Sequence, residues 1–174
     1  MQLVIDLGKG PWMKSPHALG MAVRFILMAT ATVNFKLLEI NRVLHRDSGG
    51  KIPLVPPLYS SGVRYKEEPL SWDNEHFDSI PVVLERKWGD CDDLAPWRAA
   101  ELRFTGEDRG ASIMIKWKKL PDGKRLYHIV VRRSNVPLSK VDNWQFFKDA
   151  RGVYEDPCRV LGMGGAAARK HQGL

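Results

Sequence analysis

Lys87-Trp88-Gly89-Asp90-Cys91-Asp92-Asp93-Leu94-Ala95-Pro96-Trp97-Arg98-Ala99-Ala100-Glu101-Leu102-Arg103 is the stretch on which the reading of this chain turns. A Gly-Asp pair leads into a cysteine standing where a helix begins. Asp92 and Asp93 suit a first helical turn, where unpaired N–H groups favour negative charge. The same partial charge favours a thiolate at Cys91, and a thiolate is the form that attacks carbonyl carbon. Like-charge repulsion from the two aspartates works against it. Pro96 lies five residues after Cys91, beyond the position proline favours at a helix start. Either the helix kinks there or its regular part starts later, leaving Cys91 in a turn with less benefit from the helix dipole.

Downstream, Ala111 to Lys119 alternates, with Ile113, Ile115 and Trp117 on one face. Pro121-Asp122-Gly123 is a turn and Arg125 to Arg133 a second strand, which predicts an antiparallel hairpin with His128 in mid-strand. Ser134 to Ala150, carrying Trp144, Phe146 and Phe147, reads as irregular, and Gly152 to Glu155 as a short third strand. Cys91, His128 and Asp156 therefore follow in the order and setting that a nucleophile, a base and an orienter require. Each has a plainer reading as well: a buried cysteine, a satisfied core histidine, and an aspartate capping a turn before Pro157. Asp149 and Asp142 are rival orienters. Cys158, Asp92 and Asp93 read as structural, and Trp97 and Trp117 as core.

Upstream, Asp73 to Lys87 reads as a helix with Phe77, Ile80, Val83 and Leu84 on one side and Pro81 disturbing its middle. Lys51 to Pro69 contains four prolines and must be an extended loop; a loop this long is often functional. Leu3-Val4-Ile5 is strand-like. Ser15-Pro16 is a helix start, and helical periodicity runs to about Leu44, where Arg46-Asp47-Ser48-Gly49-Gly50 ends it. Within it, the apolar run from Ala18 to Val33 stops short of the ~20 residues needed to span a bilayer, and Asn34 and Lys36 end it. That predicts a buried or partner-facing helix and no membrane partner.

The 174 residues allow one domain, or one domain with an added arm. The net charge of +7 is spread thinly, with small clusters at Lys116–Lys119, Arg132-Arg133 and Arg169-Lys170. A dedicated nucleic-acid binder concentrates such charge on one face. Nucleic acid is therefore the lesser alternative, beside an acidic protein face. Two cysteines make no disulfide scaffold and point to free thiols in a cytoplasmic setting; no secretory signal is evident. A phosphate-binding glycine loop and a Cys-x-x-Cys pair are both absent. Gly162-Met163-Gly164-Gly165 lacks a strand-to-helix context, and His17, His45, His76 and His171 show no metal-ligand spacing. A metal site on Asp90, Asp92 and Asp93 is discounted because adjacent carboxylates on a helix point in different directions. No cofactor and no metal are expected.

The order of a cysteine helix followed by antiparallel strands carrying His and Asp resembles the transglutaminase-like branch of the papain-like cysteine peptidase superfamily. Gly89-Asp90-Cys91-Asp92-Asp93-Leu94-Ala95 matches the nucleophile motif, Ala99 to Gly106 the helix end after it, His128-Ile129-Val130-Val131 the histidine strand, and Glu155-Asp156-Pro157 the closing Asp-Pro. Glu155 to Met163 further looks like small bacteriophage-encoded members of the group. The likeness covers roughly Asp73 to Met163. It implies an α+β fold with the nucleophile helix packed on a small antiparallel sheet, and a Cys91–His128–Asp156 triad acting on an amide bond. The oxyanion hole would use the Cys91 backbone N–H plus one more donor. In the family that donor is a side chain upstream of the cysteine, and Trp88, Trp72 and Tyr59 are the candidates here.

The expected organisation is an N-terminal helix and proline-rich arm over residues 1–70, a catalytic-type core over 71–163 and a flexible basic tail over 164–174. Two functions compete. One is a phage-encoded hydrolase or acyltransferase with a protein or peptide substrate. The other is a virion or assembly component that keeps the fold for structural use, through self-association or contact with other virion proteins. Helix, arm and tail motivate the second, although the helix could equally form the domain's own floor. The corresponding locations are the bacterial cytoplasm and the virion.

Overall fold

The computed structural model describes residues 2–3, 15–67, 76–119, 121, 125–137, 139, 141 and 145–162. In chain order its elements are β1 (Gln2–Leu3), α1 (Pro16–Asp47), a single 3₁₀ turn (Leu58–Ser60), β2 (Arg64–Tyr65), β3 (Phe77–Asp78), α2 (Ile80–Arg86), β4 (Trp88–Gly89), α3 (Cys91–Thr105), β5 (Ser112–Lys119), β6 (Arg125–Arg133), β7 (Phe146–Asp149), β8 (Gly152–Glu155) and α4 (Pro157–Gly162). The main sheet is antiparallel, in the order β5-β6-β8-β7. Two minor pairs accompany it, β1 antiparallel to β3 and β2 parallel to β4. This mixed helix-and-sheet architecture is the α+β class that the sequence predicts.

Everything is arranged around α3. Leu94, Ala95, Trp97, Ala99, Ala100 and Leu102 have no exposed surface, and Arg98 among them is buried and paired with Glu155. One side packs with Leu27 and Ala31 of α1 and with Ala111, Ile113, Ile129 and Val131 at the β5–β6 hairpin. The other meets Leu38, Leu58, Val63, Ile80, Val83 and Cys158. Each fully buried Leu, Ile or Val contributes about 1.5–3 kcal/mol, so these two clusters hold α3, and with it Cys91, in a fixed place. α1 supplies the domain's own floor.

α1 starts as the sequence indicates: the Ser15 hydroxyl accepts the Ala18 N–H at 3.3 Å, and proline occupies the first turn. It runs to Asp47, within the Arg46-to-Gly50 segment that the sequence marks as its end. Asn34 is fully buried, and its side-chain oxygen accepts the Ile80 N–H at 3.0 Å, capping the start of α2. The helix is therefore longer than its apolar run suggests. By length and composition alone it could cross a membrane: an 18-residue window reaches a mean hydropathy of 1.5, with 28% of that window buried inside the domain. Met21, Phe25 and Met28 lie on its exposed side.

Three expectations are corrected. Among the described residues of Asp73 to Lys87, the helix covers only Ile80–Arg86, because Pro81 sits in its first turn, where a missing N–H costs nothing; Phe77 and Asp78 instead form β3. The stretch before β8 is not irregular throughout, since Phe146–Asp149 pairs with Gly152–Glu155 as the edge hairpin of the sheet. Trp117 is 56% exposed rather than core, whereas Trp97 is buried. Residues 164–174 lie outside the described residues.

Candidate active site

Cys91 is the first residue of α3, with Asp90 as its cap. The helix does not start later than Cys91: Pro96 is buried within a helix that runs from Cys91. The start is held by side chains instead. Asp93 accepts the Asp90 N–H at 3.4 Å and the Asp78 N–H at 2.7 Å. Arg86 donates to Asp93, to Asp78 at 2.6 Å and to the Trp88 carbonyl at 2.8 Å. Gly89 is required by close approach, since a Cβ there would lie 3.2 Å from both the Asp93 Cβ and a Leu94 methyl.

His128 stands where β6 runs past the end of β8: the paired register stops at Val131 opposite Glu155. Beyond that point the chain leaves β8 through Asp156 into α4, and the Asp156 carboxylate takes the vacated place beside the ring. His128 Nε2 and Asp156 Oδ2 are 2.9 Å apart. The other carboxylate oxygen accepts the N–H groups of Cys158 and Arg159 at 3.1 and 3.2 Å, which fixes its direction. The Cys91 side chain is close enough to the same imidazole to act on its protonation. Sulfur, ring and carboxylate are thus gathered in one place, with the ring bonded to the carboxylate.

Its electrostatics favour a charged ring. Hydrogen bonds to Asp156 and then to Cys91 outweigh burial and push the His128 pKa up to about 10. Burial raises the Asp156 carboxyl, but the His128 hydrogen bond and charge prevail and hold it below its ordinary value. The repulsion expected from Asp92 and Asp93 is muted. Burial and the nearby Asp90 carboxylate push Asp92 well up, toward its neutral form. Burial and Asp90 also raise Asp93, opposed by the Arg86 charge paired with it.

The rival Asp149 lies elsewhere, bound to Lys116 and to the Arg151 N–H on the exposed edge of the sheet. Asp142 lies outside the described residues, as does Trp72. Tyr59 donates its hydroxyl to Glu155, and burial, then the Glu155 charge, hold the phenol in its protonated form. The Trp88 ring is stacked between Arg86 and Lys66, whose charges lie 4.0 and 4.8 Å from its centroid.

Sequence reasoning missed two groups. Tyr65, in β2, pairs in register with Gly89 and reaches the electrostatic surroundings of Cys91; the only signal was the length of the proline-rich loop. Glu155, 0% exposed, binds Arg98 at 2.8 Å, Gln145 at 3.1 Å, Tyr59 and Arg133. No local pattern marks such long-range pairing. One physical argument about metals is overturned. Carboxylate oxygens of Asp90, Asp92 and Asp93 do converge, to within 4.8 Å of one another, because Asp90 caps the helix from outside it. Arg86 already occupies Asp93. Donor atoms of His128, Asp156 and Cys158 also lie within 4.8 Å of one another and could hold a metal ion.

Chemically, the Cys91–His128–Asp156 chain can activate a sulfur nucleophile and pass a proton to a leaving group. Comparison with protein-family models, with curated proteins and with solved structures finds no match for this chain.

Proposed function

We propose that this chain is a transglutaminase-like cysteine hydrolase or acyltransferase, phage-encoded, acting on an amide bond. The single observation that carries the reading is the convergence of Cys91, at the first position of a buried helix, with a His128 ring hydrogen-bonded to Asp156. The Cys91 thiolate adds to the carbonyl carbon, and the Cys91 N–H, which the helix leaves without an internal partner, faces the developing oxyanion. His128, already protonated, gives its proton to the departing nitrogen as the C–N bond breaks, leaving a thioester on Cys91. Water or an amine then attacks the thioester, His128 takes the incoming proton, and the thiolate is released. Asp156 holds the ring in the productive orientation throughout. Hydrolysis and cross-linking differ only in the second nucleophile.

Iodoacetamide is the direct test. Cys91 should be alkylated much faster than a model thiol near neutral pH, and His128→Ala should remove that advantage. Slow alkylation that His128→Ala leaves unchanged would sink the reading.

One observation favours the second reading, a virion or assembly protein keeping this fold for structural use: α1 exposes Met21, Phe25, Met28, Ile40, Val43 and Leu44. An assembly component should self-associate in sedimentation measurements, and Phe25→Glu should abolish that association.

A further inference from the structure

We infer that the cleft beside the nucleophile is a subsite for acidic side chains, so that the favoured substrate is a peptide carrying Asp or Glu within a few residues of the amide attacked. The inference rests on the hydrolase or acyltransferase reading above. The cavity, of about 550 Å³, is lined by Gly62, Arg64, Tyr65, Lys66, Arg86, Lys87 and Trp88, a size typical of ligand sites. Two aromatic rings form its body and four cations surround them.

Only one of the four cations is neutralised. Arg86 carries Asp78 and Asp93, whereas Arg64, Lys66 and Lys87 are exposed and, among the described residues, take part in no ion pair. The Glu67 carboxylate beside them accepts the Tyr65 hydroxyl at 3.1 Å and offsets one of these charges, leaving the flank net positive. Lys87 is also the one non-glycine among the described residues with a positive φ, +63°. Glycine or asparagine fits such a position more cheaply, yet a lysine stands there, bordering the cleft.

The site of chemistry is adjacent. β2 and β4 pair in parallel, with Arg64 opposite Trp88 and Tyr65 opposite Gly89, and the Lys66 N–H donates to the Gly89 carbonyl at 3.0 Å. Gly89 is two residues from Cys91, a reach of at most about 7 Å along the backbone. Tyr65 lines the cleft and also lies in the electrostatic surroundings of Cys91. A chain crossing the sulfur therefore meets unpaired positive charge on one flank, and complementary charge there selects its partner.

The test uses Cys91→Ala full-length protein and fluorescein-labelled twelve-residue peptides whose flanking positions carry Glu, Gln or Lys. By anisotropy the Glu peptide should bind about tenfold tighter than the Gln peptide, with the difference shrinking as salt rises. Lys66→Glu/Lys87→Glu should erase that preference and shift it toward the Lys peptide. Equal binding of Glu and Gln peptides, or a preference that survives the charge reversal, overturns the inference. So does tighter binding of a single-stranded oligonucleotide of matched charge, since the cations would then serve nucleic acid. Incubating the same peptides with the unmodified protein separates the two readings. Tight, selective binding without Cys91-dependent turnover removes the hydrolase or acyltransferase assignment and keeps the subsite; turnover with no acid preference does the reverse.

Discussion

Glu155 and Asp156 are neighbours in the chain with opposite surroundings. Glu155 is fully buried and tied to Arg98, Arg133, Tyr59 and Gln145. Asp156 spends one oxygen on the start of α4 and turns the other to a histidine that is 37% exposed at its side chain. The first carboxylate locks β8 to α3 and β6; the second uses the direction this lock imposes. A strand ending in two consecutive acids can thus divide the labour, one anchoring the backbone and the other aiming a charge.

The comparison breaks first at Glu155. Glu155→Ala removes the fully buried carboxylate shared by Arg98 and Arg133, which keep Glu101, Glu107 and Asp108, and should cost about 3 kcal/mol in urea unfolding. A loss under 1 kcal/mol (~1) would deny it the anchoring role. Asp156→Asn should cost less stability than Glu155→Ala, since the amide oxygen can still cap α4, while iodoacetamide alkylation of Cys91 slows by roughly ten- to a hundredfold, because the ring loses the carboxylate that keeps it charged. Equal effects of the two substitutions on stability would erase the contrast. Tyr59→Phe should cost about 1 kcal/mol for a lost bond to a buried carboxylate. It should leave alkylation unchanged, since the hydroxyl belongs to the Glu155 side.

A further effect is in pH. His128 has a pKa raised from its ordinary 6.5 to about 10 in the folded protein. Its contribution to stability is therefore complete below pH 6.5, declines as pH rises and is gone above about pH 10. Asp156, whose folded value is depressed, contributes above its ordinary range and loses that contribution as pH falls through its lowered value. Urea midpoints from pH 6 to pH 10 should fall for the unmodified protein and flatten for His128→Ala.

Much of this contrast was legible in the residues and part was not. Ser15-Pro16, the alternation through β5 and β6, and the short run Gly152–Glu155 are local signals, and each placed its element correctly. The mixed helix-and-sheet class followed from them. The convergence of Cys91, His128 and Asp156 was foreseeable as an order of residue types. Their separations were not, because these depend on where β8 stops pairing with β6. β7 was missed because it is only four residues long and its adjacent Phe146 and Phe147 show no alternation. Pro81 misled because a proline's effect depends on whether the amide it lacks was needed, and in the first turn of α2 it was not. Arg98, Arg133 and Glu155 read as ordinary surface charges, and only the folded chain shows them as a buried cluster.

The burial of α3 on every side carries a practical corollary. A helix wedged between two apolar clusters has no slack, so the sulfur at its tip cannot travel to meet different molecules. Any change of preference must be written into the flanking segments, 62–66 and 86–88. Those are the stretches to randomise when retargeting this scaffold, leaving the keel untouched.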